Sequence, residues 1–200
     1  MAEIANDVTE WTGVANRVLG RGVFPHQFSG LLESPLRRFI LSPEALASRL
    51  SIKPEFSVLE IGCGSGYYSF EVAKHLKVGH LKLLDVQPEM IRRCKSKVAG
   101  LRVTNVGFVA ADAEALPFSD AEFDLVYMVT ALGEVRDQKA CLTNIKRVLR
   151  PGGFLSVSEH FPDPDFVSIK ILVRLTKPVG FSLERRYGPP MAYTANFRAA

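Results

Sequence analysis

The chain has 200 residues, the span of one domain, and its 47% hydrophobic and 23% charged residues support a packed core and exclude wholesale disorder. The net charge of +4 is small and the basic residues are dispersed, so no nucleic-acid partner is expected. Cys63, Cys94 and Cys141 sit at spacings that fit neither a zinc site nor a disulfide framework, so reduced thiols, a cytoplasmic setting and no bound metal are expected.

The opening residues are acidic and lack the basic and apolar regions of a secretory signal. No membrane span is expected either, because the apolar stretch Phe166 to Leu175 is short and carries Lys170 and Arg174. Residues 1–55 differ in character from the rest and read as an N-terminal helical cap of the same domain. Short helices are expected near Asp7–Leu19, Pro35–Leu41 and Pro43–Leu50. Ser34-Pro35 and Ser42-Pro43 each put a hydroxyl at an N-cap and a proline at the first helical position. Phe24, His26, Phe28, Leu31 and Leu32 mix apolar and polar groups as a pocket wall does, and the stretch from about Thr12 to Leu41 is expected to close over a ligand site.

Residues 56–200 form the expected core. Apolar runs at Ser57–Ile61, Leu81–Val86, Val103–Ala110, Phe123–Val129 and Phe154–Glu159 alternate with helical periodicity at Tyr67–Leu76, Pro88–Ala99 and Lys139–Leu149. Strands alternating with helices imply parallel βαβ units. In Pro88–Ala99 the residues Met90, Ile91 and Cys94 share one side, leaving Arg92, Arg93, Lys95 and Lys97 to solvent. Arg150-Pro151-Gly152-Gly153 is expected to end the Lys139–Leu149 helix and turn the chain into the next strand. A helix follows over Asp163–Thr176. The runs Gly180–Tyr187 and Met191–Arg198 then flank Gly188-Pro189-Pro190, a connection too short for a parallel crossover, so they must pair antiparallel. The fold class is therefore α/β: a doubly wound, seven-stranded, mainly parallel sheet with a C-terminal antiparallel hairpin and the N-terminal helical cap.

The chemistry concentrates where strands meet turns. Val58 to Gly66 is a buried strand entering a glycine turn, and Gly62, Gly64 and Gly66 allow positive φ and a close approach of ligand to bare backbone. A dinucleotide fingerprint fails, because its last glycine would fall at Tyr67. Glu60, immediately ahead of the turn, would repel a pyrophosphate and suits a ligand with a cationic end, such as S-adenosylmethionine with its ammonium and sulfonium. Asp85 follows the turn at the interval at which a carboxylate accepts both ribose hydroxyls. Asp112, after Val106–Ala111, is placed to accept from an adenine amine. Three carboxylates at the carboxyl ends of three parallel strands face the one crevice where such sheets bind ligands.

With these motifs, with Ala111 to Phe118, Phe123-Asp124-Leu125-Val126 and Leu149 to Gly153, the sequence resembles the class I S-adenosylmethionine-dependent methyltransferases. It is most similar to the small-molecule branch that includes the ubiquinone/menaquinone C-methyltransferases. The resemblance covers Phe56 to Glu159, and the hairpin completes the family's seven strands. It implies that Glu60 and the backbone of Gly62, Cys63, Gly64 and Gly66 contact the methionine moiety. It gives Asp85 the ribose, sets Val86 or Gln87 against the adenine, and has Asp112 and Ala113 hold the adenine edge. Met128 to Thr130 would line the methionine and acceptor side, and Asp124 would order the start of its strand. A small-molecule methyl acceptor is implied.

After the fourth strand the chain reads Thr130-Ala131-Leu132-Gly133-Glu134, so no general base is assigned there by analogy, and no Asn-Pro-Pro-Tyr-like device for base amines is present. His26 and His160 are the remaining candidates for proton transfer; His75 belongs to a helix facing away from the crevice. A methyltransferase acting on RNA or protein and a noncatalytic S-adenosylmethionine-binding module are the alternative functions.

Overall fold

A computed structural model describes residues 39–99 and 103–200. Its seven strands form one sheet in the order β3-β2-β1-β4-β5-β7-β6. They are β1 (Ser57–Ile61), β2 (His80–Asp85), β3 (Val106–Ala110), β4 (Phe123–Val129), β5 (Leu149–His160), β6 (Phe181–Tyr187) and β7 (Ala192–Ala199). The first five run parallel, while β7 pairs antiparallel with both β5 and β6. The expected hairpin thus inserts its second strand between the first and the parallel set.

The helices are α1 (Pro43–Arg49), α2 (Ser69–His75), α3 (Pro88–Ala99), α4 (Gln138–Val148) and α5 (Ile169–Thr176). At α1 the Ser42 hydroxyl accepts from the Ala45 amide at 3.1 Å and Pro43 follows at the first turn, as the sequence implies. The other expected N-terminal helices and His26 lie outside the described residues, apart from a helical end at Phe39–Ile40. On α3 the apolar face is Met90, Ile91 and Cys94, with Arg92, Arg93, Lys95 and Lys97 exposed.

Period-two alternation splits the central strands between two apolar layers. Leu59 and Ile61 of β1 join Phe123, Val126 and Met128 of β4 under α4 and α5, whereas Val58 joins Leu125, Tyr127 and Leu81 under α1, α2 and α3. The same alternation puts Glu60 on the α2 side.

Several boundaries shift from expectation, β3 for instance beginning at Val106 in place of Val103, and two shift furthest. Strand β5 begins at Leu149, directly after α4, because Leu149 pairs with Phe123; Arg150 to Gly153 form an irregularity inside the strand before Phe154 pairs with Leu125. Helix α5 begins at Ile169 and not at Asp163. Asp163 uses its carboxylate on the Asp165 amide at 2.9 Å, a local bond that competes with helix, and the cap is Ser168.

Candidate functional site

In a doubly wound sheet the strand order reverses between β1 and β4, and the crevice at their carboxyl ends is where a ligand can enter. A cavity of about 430 Å³ lies there, bordered by the residues after β1, β2, β3 and β4. Glu60, Gly62, Cys63, Gly64, Asp85, Val86, Gln87, Asp112, Ala113 and Met128 all line it, although sequence separates them by as many as 68 positions (128 − 60).

The turn after β1 is anchored from beneath: the amides of Gly62 and Cys63 donate to the Leu84 carbonyl at 2.8 and 3.1 Å. Gly62 has φ +75, and a Cβ added there would meet the Ala131 Cβ at 2.6 Å, so glycine is required by both conformation and space. Gly64 is different. Its φ is +53, yet nothing lies within 4 Å of an added Cβ, so bare backbone faces open cavity.

Gly66 and His160 are not brought to this cavity. Gly66, at φ +83, presses against Cys94 and Phe70, where an added Cβ would meet Sγ at 2.7 Å and the ring at 2.9 Å; its smallness serves the packing of the turn on α3. His160 stands opposite Ala192 in the β5–β7 pairing and is absent from the lining among the described residues. His75 is half-exposed beside Glu71.

Buried charge is organised in two places. Glu60, 3% exposed, accepts from the Ser69 hydroxyl at 2.5 Å and the Tyr127 hydroxyl at 2.6 Å, both on Oε2. Asp85 accepts from the Gly64 amide on Oδ2 and the Gln87 amide on Oδ1, each at 2.9 Å. Burial pushes the Asp85 carboxyl above the ordinary carboxylate range, and the two amide bonds offset that only in part. Each oxygen still has a lone pair for a ligand hydroxyl. Burial and Glu60 together push the Tyr127 phenol well up, which keeps it a donor.

The loop after β3 is tied to its neighbours from several sides. Asp112 accepts from the Glu114 amide at 2.8 Å. Glu114 in turn accepts from the Asp137 amide at 2.8 Å and faces Arg136 at 3.7 Å. From α4, Asn144 donates to the Glu114 carbonyl at 2.8 Å, and Arg147 donates to the carbonyls of Leu116 and Phe118 at 2.9 and 2.7 Å. After β4, Thr130 holds a left-handed φ of +48 while its amide donates to Ser158, a constrained backbone at the cavity wall.

Several lining residues escaped the sequence analysis: Tyr67, Tyr68, Met90, Arg136 and Asp163. Asp163 carries a legible signal, a carboxylate shortly after a parallel strand. Arg136 and the tyrosines carry none, since only the tertiary fold brings them round. At the opposite end of the sheet Asp124 accepts from the Ser57 amide at 2.8 Å and pairs with Arg150 at 2.5 Å, and so does order the start of β4.

The arrangement fits S-adenosylmethionine. A buried carboxylate borders the cavity beside a glycine turn, a second closes β2, a third follows β3, and the backbone at Gly64 is open for contact.

Residues 58–153 match the family described as "Methyltransferase domain". The chain is 33% identical over 130 residues to the O-methyltransferase rstn1 of Aspergillus nomiae, covering 64% of this chain and 57% of that one. It is 34% identical over 131 residues to the ubiquinone/menaquinone biosynthesis C-methyltransferase UbiE of Psychromonas ingrahamii, covering 60% and 52%. The chain spans about half the length of these curated relatives. A crystal structure of a SAM dependent methyltransferase from Aquifex aeolicus superimposes with a TM-score of 0.83 at 22% identity, covering 89% of this chain and 100% of that one, a likeness of fold.

Proposed function

We propose that this chain, whose core is a class I S-adenosylmethionine-dependent methyltransferase domain, transfers a methyl group from that cofactor to a small-molecule acceptor. The observation that carries the proposal is the convergence of Glu60, the Gly62–Gly64 backbone, Asp85 and Asp112 on one cavity at the strand-order reversal. When bound, S-adenosylmethionine supplies an electrophilic methyl group on sulfur.

The protein's part is then binding and alignment. Glu60 faces the ammonium end, Asp85 accepts from the ribose hydroxyls, and Val86 and Gln87 border the adenine. Asp112 and Ala113 hold the adenine edge. Met128 and Thr130 flank the methionine side, with Ala131, Glu134 and Asp163 toward the acceptor. Since the methyl donor is already activated, holding the acceptor in line and away from water supplies the acceleration, and a strong base is not demanded. Of the two histidines expected to move a proton, His26 lies outside the described residues and His160 is absent from the described lining, so the reading assigns neither that role.

A small acceptor is preferred to nucleic acid because the described lining sets Glu60, Asp85, Asp112, Glu114, Glu134 and Asp163 against Arg136, a field that repels phosphate. The relatives' names, one an O-methyltransferase and one a C-methyltransferase of ubiquinone/menaquinone biosynthesis, favour an oxygen or carbon acceptor atom. No helix among the described residues is long and apolar enough to cross a membrane. A cytoplasmic location belongs to the proposal, supported by three buried free thiols. So does the division into a cap over residues 1–55 and a binding core over 56–200. In support, the Leu41 carbonyl accepts from the hydroxyl of Tyr68, a cavity-lining residue, at 3.2 Å.

The test is a methyl-transfer screen with radiolabelled S-adenosylmethionine against phenols, quinols, amines and thiols, run beside calorimetry with S-adenosylhomocysteine. Binding with acceptor-dependent turnover is expected. Absence of binding at millimolar ligand would overturn the proposal, and binding with no turnover on any acceptor would favour the noncatalytic module.

A further inference from the structure

Two buried hydroxyls behind the cavity have no part in the binding scheme above. Tyr127 and Ser69 are both fully buried, and both donate to the same oxygen of Glu60. Their positions follow from the fold. Glu60 and Tyr127 are direct partners in the β1–β4 pairing, so their side chains leave the sheet on the same face, and Ser69 opens α2 on that face.

A carboxylate this deeply buried cannot keep its charge without donors, because desolvation disfavours the ionised form. Ser69 and Tyr127 each supply such a donor, and both place it on one oxygen of Glu60. Across the same face lie the thiols of Cys63 and Cys94, close enough to act on the Tyr127 phenol.

We propose that Tyr127 and Ser69 are positioning residues for Glu60: by converging on Oε2 they hold the carboxylate charged and fixed at the cavity wall, and so make the site selective for a ligand with a cationic amino-acid end. This inference rests on the proposed function above. It goes further in assigning the preference between two adenosine ligands to residues that touch neither. Charge-assisted bonds from both sides also pre-order the group, so that a ligand ammonium meets an acceptor already in place.

The experiment compares two probes that differ at that end, S-adenosylhomocysteine and 5′-methylthioadenosine, by calorimetry on the full chain and on Tyr127→Phe and Ser69→Ala. Phenylalanine keeps the ring's packing, and Ser69→Ala removes the other donor with little change of volume, so one variant stands if the other fails to fold. Either substitution should weaken S-adenosylhomocysteine by roughly tenfold, the scale of one hydrogen bond to a charged group, and change 5′-methylthioadenosine by less than about twofold. Equal losses for both probes would show that the hydroxyls merely support the fold, and no loss for either would remove them from the site; both results overturn the inference. Failure of the unaltered chain to bind either probe would instead overturn the proposed function, and this inference with it.

Discussion

The Gly64 amide donates to Asp85 Oδ2 at 2.9 Å, which fastens the turn after β1 to the carboxylate that closes β2. One residue thus orders the backbone of the turn and presents the charge beside it. Asp85→Ala should weaken S-adenosylhomocysteine by about 1.5–3 kcal/mol while the chain remains folded, the range for lost hydrogen bonds to a charged group. Asp112→Ala should cost less, since an adenine amine offers one bond where a ribose offers two. Calorimetry on both variants checks the order; equal affinity of Asp85→Ala and the unaltered chain would take Asp85 out of the ribose site.

The elevated Asp85 pKa makes two pH effects of opposite sense. A carboxyl whose folded pKa is raised is favoured in its protonated form, so its contribution to fold stability is full below the ordinary carboxylate value and is lost as pH rises through the raised value. Ligand hydroxyls donate best to the ionised form, so affinity should fall as pH drops through the same raised value. Calorimetric titration from neutral to acid pH should show that inflection above the ordinary carboxylate range. It should vanish in Asp85→Asn; an unchanged inflection there assigns it to another group.

Gly62 and Gly64 share a positive φ but should differ sharply when changed to alanine. Gly64→Ala meets no atom within 4 Å and should cost about 1–2 kcal/mol, the left-handed penalty alone. Gly62→Ala adds a collision with the Ala131 Cβ at 2.6 Å and should cost more. Removing that Cβ in Gly62→Ala/Ala131→Gly should recover part of the loss. Denaturant unfolding of the three variants reads the ranking, and equal costs for the two single changes would refute the steric account.

Arg147 governs the loop that carries Asp112 and Ala113 without touching the cavity. Its guanidinium donates to the carbonyls of Leu116 and Phe118 and to Asp120, a fork that an ammonium cannot reproduce. Arg147→Ala should lower stability by about 1–2 kcal/mol and weaken S-adenosylhomocysteine severalfold, with Arg147→Lys giving little rescue. Full affinity in the alanine variant would show that the loop needs no support from α4.

Local signals made most of the fold legible. The helix over Pro88–Ala99 and the strand over Phe123–Val129 agree residue for residue, because proline and apolar periodicity act within a few positions. Glu60, Asp85 and Asp112 could be located for the same reason: each stands within two residues of the carboxyl end of a strand. Where distant partners decide, the sequence is silent. Pro151 to Gly153 look like a turn into a strand, yet Leu149 is held in β5 by Phe123. The positive φ of Gly66 was foreseeable, but not that any side chain there would collide with Cys94 and Phe70. Arg136 and Asp163 reach the cavity on loops whose paths depend on the whole sheet.

The clasp of Asp124 on Ser57 and Arg150 sits at the beginning of β4, while the cavity lies beyond its end at Thr130, about 20 Å away at some 3.3 Å per residue. Such a separation makes the molecule divisible for an engineer. The lower rim can be stiffened or loosened as a thermostat for the scaffold, while the upper loops are rebuilt to admit another acceptor. Changes at such distance, with no shared contacts, should combine additively.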